Sequence, residues 1–406
     1  MAGKYKYQGL TKDGRKVEGA ISANSLRTAK NDLRKQGIRV TKIAKPRLLD
    51  ADLGTILIEK GLAKPFGLTE LNRFTKQLAI LINAGVPIME SLEILGQQEK
   101  NPSLKLSIVK IVELVGNGMS LNEAISQQKG FTKLYSSLVK AGEAAGILDT
   151  VLDKLVEFME KQAAITKKVK KAMTYPSIVF FLGMGITYGL MVFVVPIFVD
   201  MLKEGGQEVP DVTKFVIAIS NFLQEYTIIM VPAAITGYFL FSNYIKTRDG
   251  KIKWDRFTMK APLFGNIIIK GGLAGLFRTL ATMLSAGVPL IDSLDICIDT
   301  IDNTQMAKDM TMVKVAVTRG KSITEPLSRI KYFPPLVNQM VKVGESTGNL
   351  DEMLIKVADV FEEETGDAID VLTTMIEPII LVVLGGIIGT VLIAMYLPIF
   401  MSAGGA

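Results

Sequence analysis

Histidine is absent from this 406-residue chain, and cysteine occurs once, at Cys297. The first absence excludes every catalytic arrangement that needs an imidazole, and a single thiol excludes an intrachain disulfide and a Cys/His zinc cluster. Metal chemistry is left to carboxylates alone. Cys297 shares a helical apolar pattern with Leu294, Ile298 and Ile301, the setting of a buried, inert thiol. The lysines and arginines gather beside apolar runs and are expected to have no stacking aromatics interleaved with them, so the formal charge of +7 is not read as a nucleic-acid surface. Met1 to Leu10 lack the apolar stretch of a cleavable signal, and the first apolar run is therefore expected to act as an internal anchor. What is present is a 49% hydrophobic composition with 21% charged residues. That is too apolar for an ordinary soluble protein and too charged for a chain that is mostly bilayer.

The chain contains itself twice. Ala84-Gly85-Val86-Pro87 returns as Ala286-Gly287-Val288-Pro289, and Lys140, Gly142-Glu143, Gly146 and Leu148-Asp149 return as Lys342, Gly344-Glu345, Gly348 and Leu350-Asp351. All pairs are offset by 202 positions (286 minus 84, 344 minus 142). A shared offset over so many residues means one gapless duplicated unit, about 71–200 against 273 to the C-terminus. Both copies end in an apolar run closed by Pro196-Ile197-Phe198 or Pro398-Ile399-Phe400.

Three runs, about 176–199, 226–245 and 376–400, are long enough to cross about 30 Å of hydrocarbon. Lys161, Lys167, Lys168, Lys170 and Lys171 precede the first, and Lys246, Arg248, Lys251, Lys253 and Arg256 follow the second. The positive-inside rule makes both flanks cytoplasmic, with the lysines anchored on anionic headgroups. Between these runs Asp200, Glu204, Glu208 and Asp211 outnumber Lys203 and Lys214, as suits an outer loop. The third run departs from the pattern, because Glu362, Glu363, Glu364, Asp367 and Asp370 precede it. Its orientation follows from parity.

The resulting fold class is mainly α: an integral membrane protein with two duplicated cytoplasmic helical bundles, three transmembrane helices and a small N-terminal α+β domain. The expected boundaries are 1–45 for the α+β domain, 46–67 for a linker with an amphipathic segment over 48–61, and 68–171 for the first bundle. The first span follows at 172–200, an outer loop and amphipathic segment at 201–225, and the second span at 226–245. A basic linker at 246–272, the second bundle at 273–373 and the third span at 374–401 complete the chain. Each bundle is expected to hold five or six helices, its last helix running without a break toward the membrane.

Candidate site residues cluster in the repeated motifs. Gly85 with Pro87, and Gly287 with Pro289, make turns. Gly142 and Gly344 permit close helix approach, and Gly146 and Gly348 suit a reversal at positive φ. Glu143 and Glu345, with Asp149 and Asp351, read first as part of that structural pattern, with a contact surface or a divalent-cation site at the bundle tip as the functional alternatives. Ser120 with Glu123 and Ser322 with Glu325 have capping-box spacing. Gly320-Lys321-Ser322 resembles the end of a phosphate loop, but Val315 stands where that loop needs glycine and Met119 replaces the lysine in the first copy. Glu377, just before Pro378, suits a wetted interfacial helix start rather than a proton relay. No catalytic residue, cofactor or metal is assigned.

Both Ala-Gly-Val-Pro segments, Val139-Lys140-Ala141-Gly142-Glu143, Val341-Lys342-Val343-Gly344-Glu345, the Tyr175-Pro176 and Glu377-Pro378 pairs and the Pro-Ile-Phe ends resemble the inner-membrane platform family of type IV pilus and type II secretion machines. The resemblance covers nearly the whole chain. Met395-Tyr396-Leu397-Pro398-Ile399-Phe400 looks more like the pilus branch; the alternative is a secretion platform for pseudopilus assembly and protein export. The resemblance implies a multi-pass protein of the bacterial inner membrane, without enzymatic activity and homo-oligomeric as a dimer or higher. Its implied partners are a hexameric cytoplasmic assembly ATPase, pilin subunits, inner-membrane pilus alignment proteins and the lipid bilayer, and not nucleic acid. The turns at Gly146 and Gly348 are the expected place of ATPase contact. A transporter or receptor is the remote alternative, disfavoured by few spans, few midplane polar residues and a short outer loop.

Overall fold

A computed structural model describes residues 3–10, 16–23, 28, 30, 33–34, 39–44, 65–204, 210–262 and 264–404. The amphipathic segment expected over 48–61 and part of the expected outer loop lie outside them. Near the N-terminus, β1 (Gly3–Leu10), β2 (Lys16–Ala23) and β3 (Arg39–Ala44) form an antiparallel sheet in the order β2-β1-β3. Tyr5 pairs with Ile21 and Tyr7 with Ile43. The β1–β3 register shifts between Gln8 and Gly9, a bulge of the kind that bends an edge.

The other described residues fall in helices and the short turns between them. Packing divides the chain into Met1–Thr132 and Lys133–Ala406, a boundary inside the first repeat. Beyond the sheet, the first unit holds α1 (Leu68–Asn83), α2 (Ile88–Gln98), α3 (Pro102–Gly116) and α4 (Leu121–Ser126). Their apolar faces bury Phe74, Leu78, Leu92, Leu104, Ile108 and Ile125. Phe66 and Phe131 meet edge-on at 5.2 Å over Gly130, where a Cβ would stand 2.7 Å from the Phe66 ring.

The second unit begins with α5 (Lys133–Ala145) and α6 (Leu148–Gly189), which passes through one π turn (Leu190–Val194) into α7 (Val195–Glu204). Then come α8 (Asp211–Lys246), α9 (Arg248–Lys260), α10 (Phe264–Ser285), α11 (Leu290–Thr300), α12 (Thr304–Thr318), α13 (Thr324–Leu327), α14 (Pro335–Thr347) and α15 (Leu350–Gly404). The helices α2 and α11, α3 and α12, and α5 and α14 start and stop 202 positions apart. Their caps repeat as well: Asn101 Oδ1 accepts from Ser103 and Leu104 N–H, and Asn303 Oδ1 from Gln305 and Met306 N–H, satisfying otherwise orphaned donors of the first turn.

One core joins α10–α15 around Phe277, Leu294, Cys297, Met310, Val341 and Phe361. A smaller cluster lies at the far end, where Met191, Val195, Val216, Val391 and Met395 meet. There Ser220 Oγ donates to the carbonyl of Met191 at 2.6 Å, in the π turn where the regular ladder is displaced. Among the described residues, four helical stretches are apolar and long enough to cross a membrane: Leu148–Leu202, Asp211–Lys246, Phe264–Ser285 and Leu350–Pro398. The most apolar window of α10 is 56% buried within the protein, that of α8 not at all. At 55 residues α15 is about 80 Å long, so more than half stands outside a 30 Å hydrocarbon layer.

Candidate functional site: a charged seam between the repeats

The two long helices α6 and α15 lie side by side, parallel and in register. Lys168 Nζ meets Asp370 Oδ2 at 2.8 Å, and these residues are each other's repeat counterparts, 202 positions apart. Equal repeat positions therefore stand at the same height on the two helices. Two turns earlier Lys161 pairs with Asp359 (3.4 Å) and Glu362 (3.3 Å). Further on, a Cβ on Gly183 would stand 2.3 Å from Leu384 Cδ1; Gly183 is what lets the apolar runs approach so closely.

Arg278 of α10 completes the seam. Its side chain is 5% exposed; Nε donates to Glu362 Oε1 at 2.8 Å and Nη2 bonds Asp359. A planar fork with several donors is the cation suited to spanning two carboxylates. Lys161 and Arg278 against Asp359 and Glu362 make a neutral quartet. Burial pushes the Asp359 carboxyl upward, but the Arg278 hydrogen bond and charge, with Lys161, outweigh it and hold the group below its ordinary value. Lys270 and Glu364 add a pair at 2.9 Å.

This arrangement explains why acids precede the third apolar run where lysines precede the first: the two stretches face each other. Lys161 and Lys168 are thus engaged within the protein, a correction to their expected role on lipid headgroups, whereas Lys167, Lys170 and Lys171 are exposed.

At the other end of α15, the repeated Gly-Glu-x-x-Gly-x-Leu-Asp motif forms the reversal from α14. Gly348 has φ +78°, and a Cβ on Gly344 would meet Leu350 Cα at 2.8 Å. Glu345 accepts from Ser322 Oγ, from Thr324 Oγ1 at 2.9 Å and from Ile323 N–H at 3.2 Å. Burial acts to raise its pKa, but these donors prevail and hold the carboxyl below its ordinary value. The carboxylate therefore ties α14 to the start of α13. The expected capping boxes are not completed: Ser322 Oγ accepts from Thr324 N–H at 3.2 Å while donating to Glu345, Glu325 pairs with Lys321 and Arg329, and Ser120 makes no side-chain cap bond on α4. In the second copy the tertiary Glu345 carboxylate, not Glu325, accepts from the backbone at the start of α13.

In the first copy Gly146 has φ +70°, and Gly142 would bring a Cβ to 3.2 Å from Leu148 Cα. Glu143 and Asp149 are exposed and Asp351 half-buried; the two aspartates occupy first helical turns, where the helix dipole favours acids. Among the described residues, no group of three His, Cys, Asp or Glu side chains is placed to hold a metal ion. Gly85 and Gly287 have φ +81° and +80°, and Pro87 and Pro289 immediately precede α2 and α11. The second of these turns touches α6 through Lys154 Nζ, which donates to Ser285 O at 3.0 Å. Glu377 and Pro378 are exposed on α15, away from the seam. Cys297 is fully buried, and burial pushes its thiol pKa up.

Motif reading misses Arg278, Asp359, Glu362 and the Lys168–Asp370 pair. For the Lys168–Asp370 pair the signal is the reversal of charge sign at equal repeat positions; Arg278, Asp359 and Glu362 have counterparts of their own sign in Lys76, Glu157 and Glu160, and nothing in the repeat singles them out.

Residues 74–196 and again 276–398 match the family described as Type II secretion system (T2SS), protein F, and residues 1–44 match the N-terminal domain of that protein. Over 98% of this chain and 98% of the relative, the sequence is 38% identical to the Type IV pilus assembly protein PilC of Thermus thermophilus. It is 37% identical to the protein of the same name from Myxococcus xanthus, over 98% of this chain and 95% of that one. The Type II secretion system protein F of Xanthomonas campestris is 32% identical, over 98% of each. With two matched copies and full-length relatives, the chain belongs to the type II secretion system protein F family, which includes the type IV pilus assembly proteins PilC.

Proposed function

We propose that this chain is the inner-membrane platform of a bacterial type IV pilus assembly machine. In this reading a hexameric cytoplasmic ATPase moves the helical bundles, and the spans feed pilin subunits into a growing fibre or take them out. The observation that carries the reading is whole-length similarity to type IV pilus assembly proteins, higher than to the secretion relative. The geometry supplies a mechanical rationale. Each of α6 and α15 starts in bundle-type packing and continues as one helix through an apolar run, so a tilt applied to the bundle reaches the bilayer, and the seam makes the two helices move together.

Three of the four apolar helices are read as spans: α6 with α7, α8, and the second half of α15. A bilayer would not accept α10, whose apolar window is mostly covered by protein and carries the ion-paired Arg278. The parallel run of α6 and α15 supports a topology in which both leave the cytoplasmic side, α8 returning between them. The sheet at residues 3–44 with helical residues 28, 30 and 33–34 supports an N-terminal α+β domain. The protein acts without enzymatic chemistry of its own, as a homo-oligomer, with pilus alignment proteins as further partners.

The test is deletion with complementation from a plasmid, assaying sheared surface pili and secreted proteins in one culture. Loss of pili with secretion intact is expected. Loss of secretion with pili intact moves the protein to the secretion branch, and persistence of both, with no related copy present, overturns the platform reading.

A further inference from the structure

Only Thr247 separates the end of α8 from α9, and that turn is built tightly. Thr247 Oγ1 accepts from Gly250 N–H at 3.2 Å and donates to Tyr244 O at 2.6 Å. Gly250 is buried, and a Cβ on it would stand 2.0 Å from Tyr244 O. The inner side of α9 is pinned as well, because Asp255 accepts from Thr304 N–H at 2.8 Å and Thr304 Oγ1 at 2.7 Å. Position and angle of α9 relative to α8 are thereby fixed.

Its outer face is unusual. Ile252, Lys253, Arg256, Phe257 and Lys260 form one exposed stripe, and the Phe257 ring is 66% exposed. Of the acids on α9, Asp255 is turned inward, and Asp249 lies in the first turn, where the helix dipole favours it. Trp254, partly exposed, stands edge-on to Phe241 near the end of α8, at 5.5 Å and 86°. Trp254 and Phe257 thus stand among Lys253, Arg256 and Lys260, a correction to the expectation that no aromatics are interleaved with the cations. Beside the last turns of an apolar helix that mixture is the chemistry of a bilayer interface: rings settle at headgroup depth and Lys or Arg take phosphates.

We propose that α9 lies in the headgroup layer where α8 emerges, and that Lys253, Arg256 and Lys260 hold the phosphates of anionic phospholipids. This assigns a lipid-binding surface distinct from the seam, and it rests on α8 being a span. It also gives the second bundle a fixed height above the membrane, because Asp255 connects α9 to the start of α12.

Trp254 is the only tryptophan in the chain, so its emission reports this helix alone. The full protein is placed in nanodiscs of mixed phosphatidylcholine and phosphatidylglycerol, with bromine near the headgroup end of the tails of one lipid at a time. Loss of Trp254 emission to brominated lipid is expected, larger from brominated phosphatidylglycerol at equal amount. K253Q/R256Q/K260Q should abolish that difference while Cys297 stays protected from thiol reagent, which reports an intact core. An I229W reporter in a W254F background reads α8 separately. Quenching at that reporter with none at Trp254 overturns the surface assignment while leaving α8 a span, and quenching at neither overturns the span reading. Equal quenching by both lipids, or a preference that survives the triple substitution, overturns the assignment of anionic headgroups to these three residues.

Discussion

Arg278→Leu removes the cation that two carboxylates share. Asp359 is half exposed and can turn to water, but Glu362 is only 13% exposed and is left with Lys161 at 3.3 Å. Removing one partner of a buried pair costs about 3–5 kcal/mol. With Lys161 still present the lower end applies, and about 3 kcal/mol corresponds to roughly 100-fold more of the opened form. The chain contains its own reporter. Cys297 is the sole cysteine, fully buried in the same core as Leu276 and Phe277 beside Arg278. The assay is the rate at which maleimide labels Cys297 in the full-length protein in nanodiscs, where reclosing outpaces reaction. Arg278→Leu should accelerate labelling by about two orders of magnitude. Lys168→Ala, which breaks a pair exposed on both sides, should change it by less than about fivefold, the worth of a surface ion pair. Arg278→Leu with Glu362→Leu should recover most of the loss, because an apolar replacement of the whole pair leaves no buried charge unpaired. A wild-type labelling rate in Arg278→Leu, or a double variant as fast as the single, refutes the reasoning.

Three further outcomes are expected. Gly344→Ala forces a Cβ against the Leu350 backbone and should cost about 1–3 kcal/mol, more than Gly348→Ala, where nothing is in the way and only the left-handed φ resists, at about 1–2 kcal/mol; thermal midpoints rank them, and the reverse order counts against the close approach. Glu345 has a folded pKa below its ordinary 4.5, so it stabilises the fold above that pH, and its contribution is lost as pH falls through the folded value. Circular dichroism melts should show stability declining below 4.5, with a shallower decline in Glu345→Gln; an unchanged slope removes Glu345 as a cause. Gly183→Ile should separate α6 from α15 and cost about 1–3 kcal/mol, restored in part by Leu384→Ala; absence of rescue in thermal inactivation argues against that contact.

Much of the architecture was legible because duplication carries its own register. The 202-residue offset anticipated matched helix ends, and Gly85, Gly146, Gly287 and Gly348 all take the positive φ that only glycine adopts freely. Long apolar runs announced themselves by length. What motif reading mistook was partner choice: Ser322 and Glu325 have the spacing of a capping box, yet Glu345, distant in sequence, offers the better acceptor. By contrast α10, read from residue 273 onward as part of the second bundle, is apolar enough for a span but has most of its apolar window covered by protein.

The sequence by itself determined two copies of one helical unit, each ending in an apolar run, with charges of opposite sign before the first and last runs. Local periodicity, glycine conformation and hydrophobic length need no knowledge of neighbours. Tertiary structure alone decided that those opposite charges face each other across the seam, that Arg278 is buried between them, and that Trp254 stands beside the end of α8. Long-range pairs such as Lys168–Asp370 depend on which helix faces are brought together, and that follows from the packing of the whole unit rather than from any stretch of it.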